Sequence, residues 1–211
     1  INKLYKDSRG LLWICGDGAG LFSYNGYEFK NYNKVNQYEN LFVIDIVENS
    51  SKQLVLSSRY LGILFFEGNK FIKLTTLVDK KNTVHSDISK FAKTKKGIFA
   101  FSTSNIYFID HKNEVTNIKD VKSFSISSIT SAETVNEELV LLATDKGLFG
   151  YNIKKNSLNR ISNFANEVTI CKGLSSSVLV ADLQGNIFET TFNKTALDKC
   201  KWSQFSHKLI V

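Results

Sequence analysis

Methionine and proline are both absent from these 211 residues. Without methionine, Ile1 is not a translational start, so the chain is expected to be a piece or processed form of something longer. The lack of a leader or anchor segment then carries no meaning. Without proline, turns must be built from Gly, Asn, Asp and Ser, whose side chains or permissive backbones reach the same geometry. Cysteine is scarce. Cys15, Cys171 and Cys200 are too few and too far apart for a disulfide framework. The first two lie in apolar runs, where a free thiol behaves as a small hydrophobe. One disulfide at most can form, so the redox compartment stays open. No apolar run reaches the roughly 18–20 residues needed to span a bilayer. Sustained i, i+3, i+4, i+7 stripes are missing too, which excludes a helical-repeat solenoid.

What is present is an ordinary apolar fraction, 43%, with 22% charged residues, enough for a real core. The formal net charge is +7. A basic balance can mark a nucleic-acid surface. Here the lysines are scattered among turn segments (Lys52, Lys80, Lys81, Lys95, Lys96, Lys112, Lys154, Lys155) with no stripe interleaved by aromatics. Solvated turns account for them, and no nucleic-acid partner is expected.

The informative signal is an internal repeat. Gly20-Leu21-Phe22-Ser23-Tyr24 has counterparts beginning at Gly62, Asn105, Gly147 and Asn186, a period of about 42 residues. Each opens on Gly or Asn, the residues that best tolerate positive φ. A second marker, two bulky apolar residues three apart, recurs at Phe29/Tyr32, Phe71/Leu74, Val115/Ile118, Leu158/Ile161 and Trp202/Phe205. A third opens each unit at Ile1/Leu4, Val43/Ile46, Ile88/Phe91, Ile126/Ile129 and Val168/Cys171. Between them lie short apolar runs, Leu11–Cys15, Leu54–Leu56, Ile98–Phe101, Leu139–Ala143 and Val178–Ala181, bounded by turn residues. Such runs read as strands buried on both faces. The segments around Phe29, Phe71, Val115 and Leu158 are broken by charge, as suits an outer strand meeting water. Four antiparallel strands every ~40–45 residues is the arithmetic of an all-β fold, the β-propeller. The expected blades run 1–42, 43–87, 88–125, 126–167 and 168–206. A sixth would begin at 207–211, so the chain is expected to stop inside a blade, although five blades could close by themselves.

The first unit is more specific. Leu4-Tyr5-Lys6-Asp7-Ser8-Arg9-Gly10-Leu11-Leu12-Trp13-Ile14, then Gly18-Ala19-Gly20-Leu21-Phe22-Ser23-Tyr24-Asn25, resembles the two-component regulator propeller repeat. Ala143-Thr144-Asp145-Lys146-Gly147-Leu148-Phe149-Gly150-Tyr151-Asn152 keeps the same pattern. Cys15-Gly16 stands where that family usually has Gly-Thr, and Trp13 has no counterpart in the other units. The resemblance implies a non-catalytic, periplasmic or extracytoplasmic sensor of a hybrid histidine kinase, taking an oligosaccharide or other polar small ligand. It also implies a larger propeller of about seven blades, with downstream signalling domains in the parent chain as partners; a homodimer is one expected assembly. Related repeats occur in propeller lyases, so a glycan lyase or hydrolase is the enzymatic alternative, and a protein-interaction scaffold a third.

Chemistry-bearing residues are few. His85, His111 and His207 stand alone, with no zinc spacing. Neither a nucleophile elbow nor a phosphate loop is present. Gly16, Gly18 and Gly20 join two strands rather than opening a helix, and so lack anion-binding geometry. Asp7 reads as a turn-closing carboxylate rather than a calcium ligand, and Trp13 as core rather than a sugar platform. No metal or cofactor is expected. In this strand order the turns between second and third strands share a face with the links between units. Those segments supply the candidate binding residues Asp17, Arg59, Tyr60, His85, Asp87, Asp145, Lys146 and Asp182.

Overall fold

The computed structural model describes residues 1–32, 41–67, 70–74, 87–164, 167–173, 177–191 and 203–205. These residues are all-β apart from a short 3-10 turn at Lys122–Phe124. The strands form five four-stranded antiparallel sheets, each in chain order, the blades of a β-propeller. Blade 1 holds β1 (Lys3–Lys6), β2 (Leu12–Gly16), β3 (Gly20–Tyr24) and β4 (Phe29–Asn31). Blade 2 holds β5 (Val43–Glu48), β6 (Leu54–Ser58), β7 (Gly62–Glu67) and β8 (Lys70–Lys73). Blade 3 holds β9 (Lys90–Thr94), β10 (Gly97–Phe101), β11 (Asn105–Ile109) and β12 (Val115–Asp120). Blade 4 holds β13 (Ile129–Asn136), β14 (Leu139–Thr144), β15 (Gly147–Asn152) and β16 (Ser157–Arg160). Blade 5 holds β17 (Val168–Gly173), β18 (Ser177–Asp182), β19 (Ile187–Thr191) and β20 (Ser203–Phe205). The residues 207–211, read as the start of a sixth unit, lie outside the described residues, as do Cys200 and Trp202. Two compact units divide the chain, Ile1–Asp120 with blades 1 to 3 and Val121–Val211 with blades 4 and 5.

Strand registers place the repeats on one frame. Lys3 pairs Cys15, which pairs Leu21; Asp45 pairs Ser57, which pairs Ile63; Lys90 pairs Phe101, which pairs Ile106. Ser131 and Ile170 hold the same place in blades 4 and 5. Because side chains alternate across a strand, each blade has two apolar faces. We call the face of Leu4, Ile14 and Phe22 leading, and that of Trp13, Cys15 and Leu21 trailing.

In the first unit, the trailing face of blade 1 packs on the leading face of blade 2 (Ile46, Leu54, Leu56, Leu64, Phe66). The trailing face of blade 2 (Val47, Val55, Ile63, Phe65) packs on the leading face of blade 3 (Phe91, Ile98, Ala100, Tyr107, Ile109). In the second unit, Leu141, Ala143 and Leu148 of blade 4 pack on Cys171, Val178 and Val180 of blade 5. Each large apolar side chain buried this way contributes about 1.5–3 kcal/mol. Cover by a neighbouring blade is therefore the main source of stability.

Polar contacts fix the order. Asn2 Nδ2 donates to Val43 O at 2.8 Å, and Ser8 Oγ to Glu48 Oε1 at 2.9 Å. Asp45 is buried and joins three opening strands: it accepts from Ile46 N at 3.0 Å and Phe91 N at 2.8 Å, and pairs Lys3 Nζ at 3.3 Å. In the second unit Thr130, the extra residue of a bulge in β13, donates to Val168 O at 3.1 Å. Ser131 Oγ donates to Cys171 O at 3.0 Å.

The turn that opens blade 1 closes on Asp7. Its Oδ1 accepts from Arg9 N at 2.9 Å and Leu11 N at 3.0 Å. Its Oδ2 accepts from Trp13 Nε1 at 3.0 Å and Arg9 Nη2 at 2.7 Å. Asp7 thus closes the turn, and Trp13, 1% exposed, is core. Cys15 and Cys171 are free and buried.

Candidate functional site

In blades 2 to 5 the turn between second and third strands is tied back to the link before the first. Arg59 N donates to Phe42 O at 3.0 Å, and Leu183 N to Glu167 O at 3.4 Å. Thr103 Oγ1 donates to Asp87 Oδ2 at 3.3 Å, and Ser127 Oγ to Asp145 Oδ2 at 2.6 Å. The candidate residues therefore fall into local groups, one per blade edge.

The first group joins blades 1 and 2. Arg59 Nη2 lies 3.5 Å from Asp17 Oδ1, both side chains half exposed. Its guanidinium carbon stands 5.9 Å from the Phe42 ring centroid, and the Tyr60 ring meets Phe42 edge-on at 5.2 Å. An exposed ion pair of this kind contributes at most about 1 kcal/mol, and the cation–π contact about 0.5–1 kcal/mol. Their effect is to hold orientation. Tyr60 is 64% exposed, so an aromatic face stands in water beside a fixed cation and carboxylate. Gly18 (φ +71°) lets the chain come close: a Cβ there would lie 3.3 Å from the Phe42 ring. Phe42 is absent from the sequence-derived set, because a single aromatic in a link has no periodic signature.

Asp87 belongs to a separate group with the hydroxyls of Thr103 (3.3 Å) and Ser104 (3.4 Å). His85 lies outside the described residues. In the second unit, Asp145 accepts from Ser127 N and Ser128 N, both at 3.0 Å, and pairs Lys146 Nζ at 3.2 Å. Burial alone would raise its pKa, but the donors from Ser127, Ser128 and Lys146 together win and lower it to about 2. Gly147 (φ +107°) completes this turn; a Cβ there would collide with the carbonyl oxygen of Phe164. Asp182 is engaged by Asn186, through N at 2.9 Å and Nδ2 at 2.8 Å. Asp87 and Asp145 are bonded across between a link and the turn facing it, and Asp182 within its own turn, whereas Asp17, Arg59 and Tyr60 are half or more exposed. Among the described residues no cluster of His, Cys, Asp and Glu could hold a metal ion.

Neither a family model nor a curated protein matches the sequence. Solved structures do. The extracellular domain assigned to a one-component system of B. thetaiotaomicron superposes with a TM-score of 0.74 at 17% identity, covering 96% of this chain and 27% of that one. The extracellular domain assigned to a hybrid two-component system of the same organism gives 0.65 at 15%, covering 94% and 29%. The chain shares its fold with these extracellular domains. This agrees with the two-component regulator propeller repeat read in blade 1. The propeller spans 27% and 29% of the length of those chains. Virginiamycin B lyase from Staphylococcus aureus, in a catalytically inactive H270A form with quinupristin, gives 0.72 at 10% identity, covering 98% of the propeller and 70% of the lyase chain. No helix among the described residues of the propeller is long and apolar enough to cross a membrane.

Proposed function

We propose that the chain is a non-catalytic, ligand-sensing propeller of an extracytoplasmic, two-component signalling protein, and that its ligand is an oligosaccharide. The observation that carries this reading is the outward-facing group of Tyr60, Arg59 and Asp17, braced on Phe42. An exposed aromatic ring gives the apolar face of a sugar a stacking surface, while a guanidinium and a carboxylate at its rim supply a donor and an acceptor for hydroxyls. Neighbours of the same fold at the cell exterior support the setting. Occupancy would be relayed to a histidine kinase in the same parent protein.

The test is a glycan array, followed by titration of any hit against the unmodified chain and Tyr60→Ala. Tyr60→Ala is expected to weaken binding about five- to thirtyfold, through loss of roughly 1–2 kcal/mol of stacking, with an unchanged melting temperature. Unaltered affinity would remove this site, and no hit on any glycan would remove the ligand class.

The fold match to a lyase favours a second reading, an enzyme acting on a glycan. Asp145 is poorly suited to it. A carboxyl held at a pKa of about 2 is neither a strong base nor a useful acid near neutrality. Turnover of a glycan by the chain would decide for the lyase.

A further inference from the structure

We propose that Lys3 and Lys90 form a site for the carboxylate group of a small ligand, with Asp45 between their blades setting its charge. The three residues hold one register place in blades 1, 2 and 3, where they pair Cys15, Ser57 and Phe101 of the second strands. Lys3 and Lys90 are the first residues of β1 and β9, so both stand at the end of the sheets that carries the links. The fold itself asks for no charge there. Ser131 and Ile170 take the same place in blades 4 and 5.

Asp45 accounts for one of these lysines and not for the other. Its two oxygens accept from Ile46 N and Phe91 N, and Oδ1 pairs Lys3 Nζ at 3.3 Å. The Lys90 ammonium has no hydrogen bond or ion pair among the described residues, although its residue is half-buried. A cation withdrawn from water without an acceptor costs free energy. Burial accordingly lowers the Lys90 pKa; Asp45 works against that shift, Lys3 adds to it, and Cys15 opposes it. Charge balance then names the ligand class. Two ammonium groups against one carboxylate leave a single positive charge, which a second carboxylate neutralises and a dianionic phosphate exceeds. Lysine heads are compact point charges with three donors each, so each can spare one for a shared carboxylate. The Lys3 side chain, 40% exposed, keeps donors beyond the one that Asp45 takes. The site shares no residue with the group of Asp17, Arg59 and Tyr60, so each can fail without the other.

The experiment is thermal melting of the 211-residue chain at neutral pH and constant ionic strength, with glucuronate, acetate, glucose and inorganic phosphate as probes. A carboxylate probe is expected to raise Tm by about 5 °C or more at about a hundred times its Kd. Glucose and phosphate are expected to leave Tm unchanged. A rise with glucuronate alone assigns the carboxylate to an acid sugar; a rise with acetate as well assigns it to organic acids at large. Lys90→Met is expected to weaken the carboxylate at least about tenfold, and Lys90→Arg to retain it. Should Lys90→Met fail to fold, the pH profile decides. Affinity of the unmodified chain falls as pH rises through the lowered Lys90 pKa, whereas Lys90→Arg stays charged and holds its affinity further into alkali. No rise with either carboxylate, an equal rise with phosphate, undiminished affinity in Lys90→Met, or identical pH profiles for Lys90 and Arg would each overturn the proposal.

Discussion

Asp7 shows how much a single side chain can organise. It is buried, and burial works against its charge, but the donors from Trp13 and Arg9 and the amides of Leu11 and Arg9 outweigh it and lower the carboxyl pKa. Asp7→Ala leaves the indole and two amides without their acceptor. It is expected to destabilise the fold by about 3 kcal/mol, read as a lower denaturant midpoint at unchanged slope. Asp145 gives a pH signature. Its folded pKa of about 2 lies below the ordinary 3.8, so its contribution to stability is complete above about pH 4 and is lost as pH falls towards 2. Asp145→Asn should therefore flatten the acid limb of stability against pH across that window, followed by circular dichroism. Asp7 and Trp13 were legible in the sequence, because turn chemistry and an apolar strand are local properties. Phe42 was not, since its role arises only when a link is folded against Arg59 and Tyr60.

Among the elements, the opening strands depart most from their apolar pattern. The spacing aligns Ile126/Ile129 with Ile1/Leu4, but the register of β13 with β14 puts Ala132 at the place of Leu4. Ile126 precedes the strand and is buried there. Ala132 is small where the other units have a larger residue, so bulk alone points to the nearest isoleucines instead. Bulges at the starts of β5, β13 and β17 leave no trace in apolar periodicity. Asp45 is an acid within an apolar strand, with no signature in the repeat. It holds Lys3, Phe91 N and its own strand together while almost wholly buried. Asp45→Ala is expected to cost about 2–3 kcal/mol, chiefly because it leaves the buried Phe91 N without its acceptor; urea unfolding would measure it. The same carboxylate contributes, after burial, to raising the Cys15 thiol to about 12, so that thiol is inert at neutral pH.

For the whole chain, the period of about 42 residues was the strongest statement in the sequence, and the blades follow it. Phase survives where motifs fade because cover, rather than any one residue, is what each repeat must satisfy. Loops obey no such common demand, so loop chemistry alone does not show that, among the described candidates, Asp17, Arg59 and Tyr60 share one outward-facing group.

The unequal cover of blade 1 also bears on how such a chain would record its own history. Within β2, substitutions at Trp13 and Cys15 disturb a filled interface, whereas those at Leu12 and Ile14 meet the neighbours of a half-open one. Drift in an isolated chain would therefore erode every second residue of this blade first. If those residues stay apolar across divergent sequences while their neighbours change, selection has been acting on a contact made outside the 211 residues.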